Sequence, residues 1–134
     1  MIQQDLCIGA PRFPSTVDQD APDALQIWRR ALGTQPLDAL AAVGGDFAIG
    51  LTLSDGRTLL AVDRFAVRTL CWRIVDGRLR YAERADELAD ERHELDPQAI
   101  FDYLYFHAIP SPRTVFQGIF RLPPGHALLF ENGQ

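Results

Sequence analysis

The feature that most constrains the fold is a change of hydrophobic period after residue 45. From there, apolar side chains alternate with smaller or polar ones, at Phe47, Ile49, Leu51 and Leu53, which is typical of a half-buried strand. A tight-turn sequence follows at Ser54–Arg57, and a second one, Asp76-Gly77, separates two more strand-like runs. Because Asp-Gly favours the turns of hairpins, the sequence predicts two consecutive antiparallel hairpins, over 46–63 and 69–82.

Helical periodicity precedes the hairpins. We predict a first helix over 21–32, capped at its start by Asp20, and a second helix over 36–43, ended by Gly44-Gly45. The predicted buried stripes are Leu25, Trp28 and Leu32 on the first helix and Leu37, Leu40 and Ala41 on the second. A short strand at Leu6–Ile8 is expected before them.

Helical signals return after the hairpins. Residues 84–91 are rich in good helix formers, and Asp96-Pro97 is a favourable start for a helix that reaches Phe106. Its predicted apolar face consists of Ile100, Phe101 and Leu104. Helices on both sides of two hairpins indicate an α+β domain with antiparallel β-hairpins and packed helices.

Composition narrows the classes of function. The chain has 134 residues, enough for one domain, and a net charge of −5. An acidic chain is a poor match for nucleic acid or an anionic membrane surface. No apolar run is long enough to span a bilayer and no secretory signal precedes the domain, so we expect a cytoplasmic protein. The two cysteines exclude a disulfide framework.

Candidate reactive residues are few. Cys7 is the candidate nucleophile, but it is not the first residue and has no α-amine of its own to act as a base. We therefore expect Cys7 to be a small buried apolar residue, and Cys71, between Leu70 and Trp72, even more so. The three histidines, His93, His107 and His126, have no metal-site spacing. No nucleotide-binding signature is present.

The segment between the hairpins is rich in charge. Asp63, Arg64 and Arg68 lie within six residues, and Glu83-Arg84 follows the last predicted strand. One interpretation is a solvated loop. The other is an ion-paired hinge, in which Asp63 and Arg64 or Arg68 pair with each other or with Glu83, because a guanidinium can bind a carboxylate through two hydrogen bonds.

Five segments, in the same order, resemble the glutaminase domain of asparagine synthetase B-type enzymes, which are class II glutamine amidotransferases. The segments are Gly45–Ala48, Leu59–Leu70, Tyr81–Leu88, Leu95–Leu104 and Ile109–His126. They are similar to the family patterns G-[DM]-F-A, L-x-A-R-D-R-x-G-x-[KR]-P-L-Y, F-A-S-E-x-K-A-L, the helix before the linker, and P-x-P-x-T-x-F-x-G-I-x-x-L-P-P-G-H. The matching signature residues are Gly45, Asp46, Phe47, Asp63, Arg64, Arg68, Glu83, Pro123, Pro124 and Gly125.

The resemblance implies a partial N-terminal-nucleophile (αββα) fold: a divergent segment over 1–20, a glutaminase-like domain over 21–108 and a linker over 109–134. The linker would lead to a C-terminal synthetase domain beyond Gln134. That domain would bind ATP and Mg²⁺ and form an amide, whereas this chain would hold no cofactor and no metal. The expected partners are that synthetase domain, a peptide or protein substrate and a second copy of the chain.

Departures from the family lie in its catalytic parts. The family begins Met-Cys-Gly-Ile, whereas here Met1 is followed by Ile2. The Arg-bearing strand and the Asn-Gly pair that bind glutamine and form the oxyanion hole have no counterpart. Asp20 and Asp23 are the candidates for the family's substrate-binding aspartate. In the signature, Ala66 replaces a glycine and Thr69 a proline.

We therefore expect a domain of an asparagine synthetase-like ligase that does not hydrolyse glutamine, as in lactam synthetases or lasso-peptide cyclases. One alternative is an active glutamine-dependent asparagine synthetase with a diverged N-terminus. Another, of a different class, is a non-catalytic domain that docks a peptide or protein for a lasso-peptide-type cyclase. A synthetase signature in a longer chain would favour the ligase.

Overall fold

Residues 3–134, which the computed structural model describes, contain seven strands and three α-helices. The strands are β1 (Leu6–Arg12), β2 (Gly44–Thr52), β3 (Thr58–Val62), β4 (Cys71–Val75), β5 (Arg78–Ala82), β6 (Phe120–Arg121) and β7 (Ala127–Phe130). The helices are α1 (Ala24–Leu32), α2 (Pro36–Leu40) and α3 (Pro97–Phe106), with a 3₁₀ turn at Ala85–Glu87. Met1 and Ile2, the start of the segment predicted as divergent, lie outside the described residues.

The strands form two antiparallel sheets, which confirms the α+β class. One sheet has the order β1-β2-β3-β7 and the other the order β5-β4-β6. Both predicted hairpins are present, and each belongs to a different sheet: β2 and β3 are central in the first, while β4 and β5 form most of the second. Within 109–134, β6 pairs with β4 and β7 pairs with β3, so both are edge strands.

The first sheet is buried on both faces. Its outer face packs on α1 through a cluster that contains Trp28, Leu32, Phe47, Ile49, Leu51 and Leu59. Its inner face meets the second sheet through Ala48, Leu60, Val62, Leu70, Leu79 and Tyr81. The prediction of a half-buried strand was therefore wrong for β2. The smaller alternate residues do not face solvent but let the sheets approach, and a Cβ on Gly50 would overlap the Tyr81 ring.

The first helices differ from their predicted bounds. Helix α1 begins at Ala24, because the Asp23 carboxylate accepts the backbone N–H of Gln26 at 2.9 Å and so replaces Asp20 as the cap. Helix α2 ends at Leu40, because Gly44 already pairs with Arg12 in the first sheet.

The predicted stripe of α2 was wrong at Leu37 and Ala41 for the same reason, whereas Leu40 packs, partly buried, against the core cluster. Once the chain turns at 41–43 to enter β2, Leu37 is 51% exposed and Ala41 is exposed, while Pro36 and Val43 are buried. On α1, Trp28 and Leu32 are buried as predicted, and Leu25 is half-buried.

The predicted helix over 84–91 is a single 3₁₀ turn. Its polar backbone groups are used by side chains instead: the Arg73 guanidinium donates to the Leu88 carbonyl at 2.6 Å, and the Asp90 carboxylate accepts the N–H of Arg92 at 2.9 Å. The Asp90 bond is local and competes with helix formation, while the Arg73 bond ties the segment to β4. Helix propensity is therefore overridden here.

Helix α3 has the predicted bounds but not the predicted burial. The Asp96 carboxylate caps it at Gln98, and His107 ends it in the left-handed conformation. Its apolar residues face outward, however, and Phe101 and Leu104 are 59% and 72% exposed. Ala99 is the buried residue of α3, so the helix packs on the domain through one small side chain while its larger apolar residues stay exposed.

Of the helices that the structure describes, none is long and apolar enough to cross a membrane.

Candidate functional site

The loop that joins the two hairpins, residues 63–70 (the signature loop), is built around one carboxylate. The Asp63 side chain accepts four backbone N–H groups, from Phe47, Phe65 and Val67 at 3.1 Å and from Arg68 at 3.3 Å. Each carboxylate oxygen accepts two of these bonds. Asp63 is only 2% exposed, so the four donors take the place of water.

These four donors favour the ionised form of the Asp63 carboxyl. Burial alone would raise the pKa of its carboxyl, but the four backbone hydrogen bonds outweigh it and lower the pKa below the ordinary value. The buried carboxylate is therefore ionised without a cationic partner. The prediction that Asp63 and Arg64 or Arg68 pair with each other or with Glu83 was wrong: backbone N–H groups bind the Asp63 carboxylate, and Arg68 pairs with Asp46.

The arginines have other environments. The Arg68 Nε donates to the Asp46 carboxylate at 3.0 Å, which ties the signature loop to the start of β2. Arg84 pairs with Asp86. Arg64 is exposed and makes no ion pair within residues 3–134. Glu83 contributes its backbone carbonyl, which accepts the Thr69 hydroxyl at 3.2 Å.

A third signature segment docks on the same loop. The Gly125 N–H donates to the Asp63 carbonyl at 2.8 Å, and the Val62 N–H donates to the His126 carbonyl at 3.2 Å. The Asp63 N–H in turn donates to the Phe47 carbonyl at 3.0 Å. Three segments of the chain, around Phe47, Asp63 and Gly125, therefore converge on one place, although Gly125 is 62 residues after Asp63.

These three segments line a cavity of about 710 Å³ at the end of the first sheet. Its wall includes Gly45, Asp46, Phe47, Asp63, Arg64, Phe65, Val67, Gly125 and His126, together with Arg12 from β1, Leu37 and residues 40–44. Arg12 was missed by the sequence reasoning, because no local pattern marks it. It reaches the cavity only through the pairing of Arg12 with Gly44. Pro123 and Pro124 precede the lining residue Gly125, and the Pro124 carbonyl contacts the His126 Nδ1 at 2.9 Å.

Cys7 lies elsewhere on β1. It pairs opposite Ile49 and packs, half-buried, against the core cluster under α1. Burial raises the pKa of its thiol, and the Asp23 carboxylate raises it further. Five residues of extended strand separate Cys7 from Arg12, or about 17 Å at ~3.3 Å per residue, so Cys7 is not part of the cavity.

The chain before Cys7 is held in the fold. The Gln3 side chain accepts the Tyr81 N–H at 3.1 Å, and the Asp5 carboxylate accepts the Thr52 N–H at 3.1 Å and pairs with Arg29. The nitrogen of Cys7 is thus a peptide nitrogen inside a strand.

The two candidate substrate-binding aspartates do not meet the signature residues. Asp23 caps α1 near Cys7. Asp20 is exposed, and its carbonyl accepts the Arg30 guanidinium at 2.8 Å. Neither lines the cavity. The candidate catalytic residue therefore lies outside the cavity that Gly45, Asp46, Phe47, Asp63, Arg64 and Gly125 line.

The remaining titratable candidates are dispersed. Cys71 is buried in β4, where burial raises the pKa of its thiol. His93 contacts Asp90, His107 ends α3, and His126 lies beside the cavity. Among the described residues, no group of three or more histidine, cysteine, aspartate or glutamate side chains could hold a metal ion.

Comparison with known proteins identifies the family of this chain. A search of curated proteins found no match. The family model described as a glutamine amidotransferase domain matches residues 12–134, which include all five resembling segments and the whole cavity wall. The chain therefore belongs to the glutamine amidotransferase domain family.

Proposed function

We propose that the chain is the N-terminal glutaminase-like domain of an asparagine synthetase-like, ATP-dependent ligase that forms an amide, and that it does not itself hydrolyse glutamine. The family match supports the amidotransferase part of the proposal. The five motifs that resemble asparagine synthetase B-type enzymes support the ligase part. A cytoplasmic location is proposed with it.

The observation that carries the absence of hydrolysis is the environment of Cys7. A cysteine glutaminase needs a thiolate, a base beside it and donors for the tetrahedral oxyanion. Here burial and the Asp23 carboxylate both favour the neutral thiol, whereas reactive cysteines lie in electropositive surroundings. The nitrogen of Cys7 is a peptide nitrogen within β1, so it cannot act as an α-amine base.

The rest of the enzyme is proposed to lie in a synthetase domain that binds ATP and Mg²⁺, activates a carboxylate as its adenylate and lets an amine attack it. The amine would be free ammonia or an amine of the substrate. In this proposal the domain described here serves as a scaffold.

We propose α3 as the surface that contacts the synthetase domain. Its aromatic and aliphatic residues from Phe101 to Phe106 are mostly exposed, Leu104 to 72% and Tyr105 to 71%. Soluble proteins rarely expose a contiguous apolar patch without a partner. A second copy of the chain and a peptide substrate are the other partners that this surface would fit.

The test uses the longest natural protein that contains this sequence. We expect no glutamate release from glutamine, in the parent protein or in Cys7→Ala. Cys71→Ala is the matched control for removal of a thiol. We expect pyrophosphate release from ATP when ammonia or an amine-bearing peptide is supplied. Glutamate release that Cys7→Ala abolishes and Cys71→Ala does not would favour an active glutamine-dependent synthetase instead.

A further inference from the structure

The cavity at the end of the first sheet has an unusual balance of charge. The two arginines of its wall, Arg12 and Arg64, are not among the arginines that form ion pairs within residues 3–134. The carboxylates of the two aspartates that line it already have hydrogen-bond partners. Asp46 is paired with Arg68 at 3.0 Å, and Asp63 is surrounded by four backbone N–H groups. With the Asp46–Arg68 pair neutral and Asp63 ionised, the two arginines leave the cavity wall with one net positive charge.

The position of the Arg12 side chain is set by β2, the strand that pairs with β1. A Cβ on Gly44 would lie 3.3 Å from the Arg12 guanidinium, so the guanidinium rests against the bare backbone of Gly44. A larger residue at this position would displace it. Arg64 approaches from the signature loop, whose shape is fixed by Asp63. Both guanidinium groups thus extend from backbone that is held in place.

The rest of the wall is largely apolar. Phe65 and Val67 are 84% and 66% exposed, and Leu37, on the α2 side, is 51% exposed. At about 710 Å³ the cavity is within the range of ~300–1,000 Å³ that is usual for small-molecule sites. Such sites combine an apolar lining with a few polar groups that fix the ligand's orientation.

We propose that this cavity binds a small organic acid with an apolar body. The carboxylate is held by Arg12 and Arg64, and the apolar part lies against Phe65, Val67 and Leu37. Cations that bind a carboxylate through hydrogen bonds give stronger contacts than neutral donors. The site lies about 17 Å along β1 from Cys7, so the inference is independent of whether the chain hydrolyses glutamine.

The experiment uses 3-phenylpropionate as the probe and 3-phenylpropionamide as its uncharged counterpart. Binding to the intact chain is followed by titration calorimetry and by the backbone amide signals of Gly44, Gly45 and Gly125. Arg12→Gln and Arg64→Gln each remove one charge from the cavity. Arg78→Gln is the matched control, because Arg78 is an exposed arginine of β5 in the other sheet.

We expect the acid to bind at least about tenfold more tightly than the amide, since a hydrogen bond to a charged group is worth ~1.5–3 kcal/mol. Arg12→Gln and Arg64→Gln should each weaken binding about tenfold, and Arg78→Gln should leave it unchanged. All three variants should unfold at the same temperature as the parent. Added salt should weaken binding of the acid.

Four results would overturn the proposal. Equal affinity for the acid and the amide would show an apolar cavity without anion recognition. Binding that survives both Arg12→Gln and Arg64→Gln, or that shifts amides away from the three glycines, would place the acid elsewhere. Inorganic phosphate that binds as tightly as the acid would show that the apolar wall contributes nothing.

Discussion

The four-donor environment of Asp63 makes a sharp prediction for Asp63→Asn. This substitution keeps the size and shape of the side chain but replaces one acceptor oxygen by an NH₂ group. Because each carboxylate oxygen accepts two N–H groups, the amide loses two bonds and directs its own hydrogens at two backbone donors. With ~1.5–3 kcal/mol for a hydrogen bond to a charged group, we expect a loss of about 3–6 kcal/mol in the free energy of unfolding.

The measurement is urea unfolding followed by circular dichroism, with linear extrapolation to water. Asp20→Asn is the matched control, because it removes the same charge from an exposed aspartate whose side chain accepts no bond from this loop; we expect a change below about 0.5 kcal/mol. A value for Asp63→Asn within 1 kcal/mol of the parent would contradict the reasoning, since it would mean that the loop does not depend on both oxygens.

The dependence of stability on pH supplies a second check. The folded-state pKa of Asp63 is below its unfolded value, which is near ~3.9 for aspartate. Its stabilisation is therefore fully present above that value and is lost as the pH falls through the folded-state pKa. The difference in unfolding free energy between the parent and Asp63→Asn should accordingly be constant near neutral pH and shrink below about pH 4.

Three further predictions follow from the burial of particular side chains. Gly50→Ala should destabilise the fold by about 1–3 kcal/mol through overpacking, because its methyl group overlaps the Tyr81 ring; in a Tyr81→Ala background the same change should cost less, and an equal cost in both backgrounds would refute the contact. Both thiols should react with a disulfide reagent near neutral pH more slowly in the folded protein than in urea, because burial raises their pKa values. Cys71 should react more slowly than Cys7, because it is the more buried of the two; a faster reaction of Cys71 would argue against this. Leu104→Gln should change the free energy of unfolding by less than about 0.5 kcal/mol, because this side chain of α3 is 72% exposed; a loss above 1 kcal/mol would show that α3 packs inside the domain.

Local signals predicted the hairpins and the start of α3, because each depends on a few neighbouring residues. The Asp-Gly turns fix the register of each strand pair, and the Asp96-Pro97 cap needs only the next turn of backbone. The same local reasoning was wrong where strand pairing between distant segments decided the end of a helix. Helix α2 stops early because Gly44 pairs with a strand from the N-terminal segment.

Long-range placement could not be read from the sequence. A charged loop containing Asp63, Arg64 and Arg68 is equally compatible with ion pairs and with backbone bonds to the carboxylate. The choice depends on how deeply Asp63 is buried, and that is decided by β2 and by the segment at Gly125. The cavity was even harder to predict from the sequence, because Arg12 lies in its wall only when β1 pairs with β2.

The geometry of Asp63 also explains how family membership and activity can separate. Its carboxylate binds the N–H of Phe47, its carbonyl binds the N–H of Gly125, and its loop connects the two sheets. Asp63 and Gly125, two residues that carry the resemblance, therefore help to hold the scaffold together at the cavity, whereas Cys7 packs against the core cluster under α1. A chain can keep these contacts and remain a member of the family while the chemistry at the other end of β1 changes. Under the proposed function, this separation predicts that Asp63→Asn weakens folding, whereas Cys7→Ala leaves ligation by the complete enzyme unchanged.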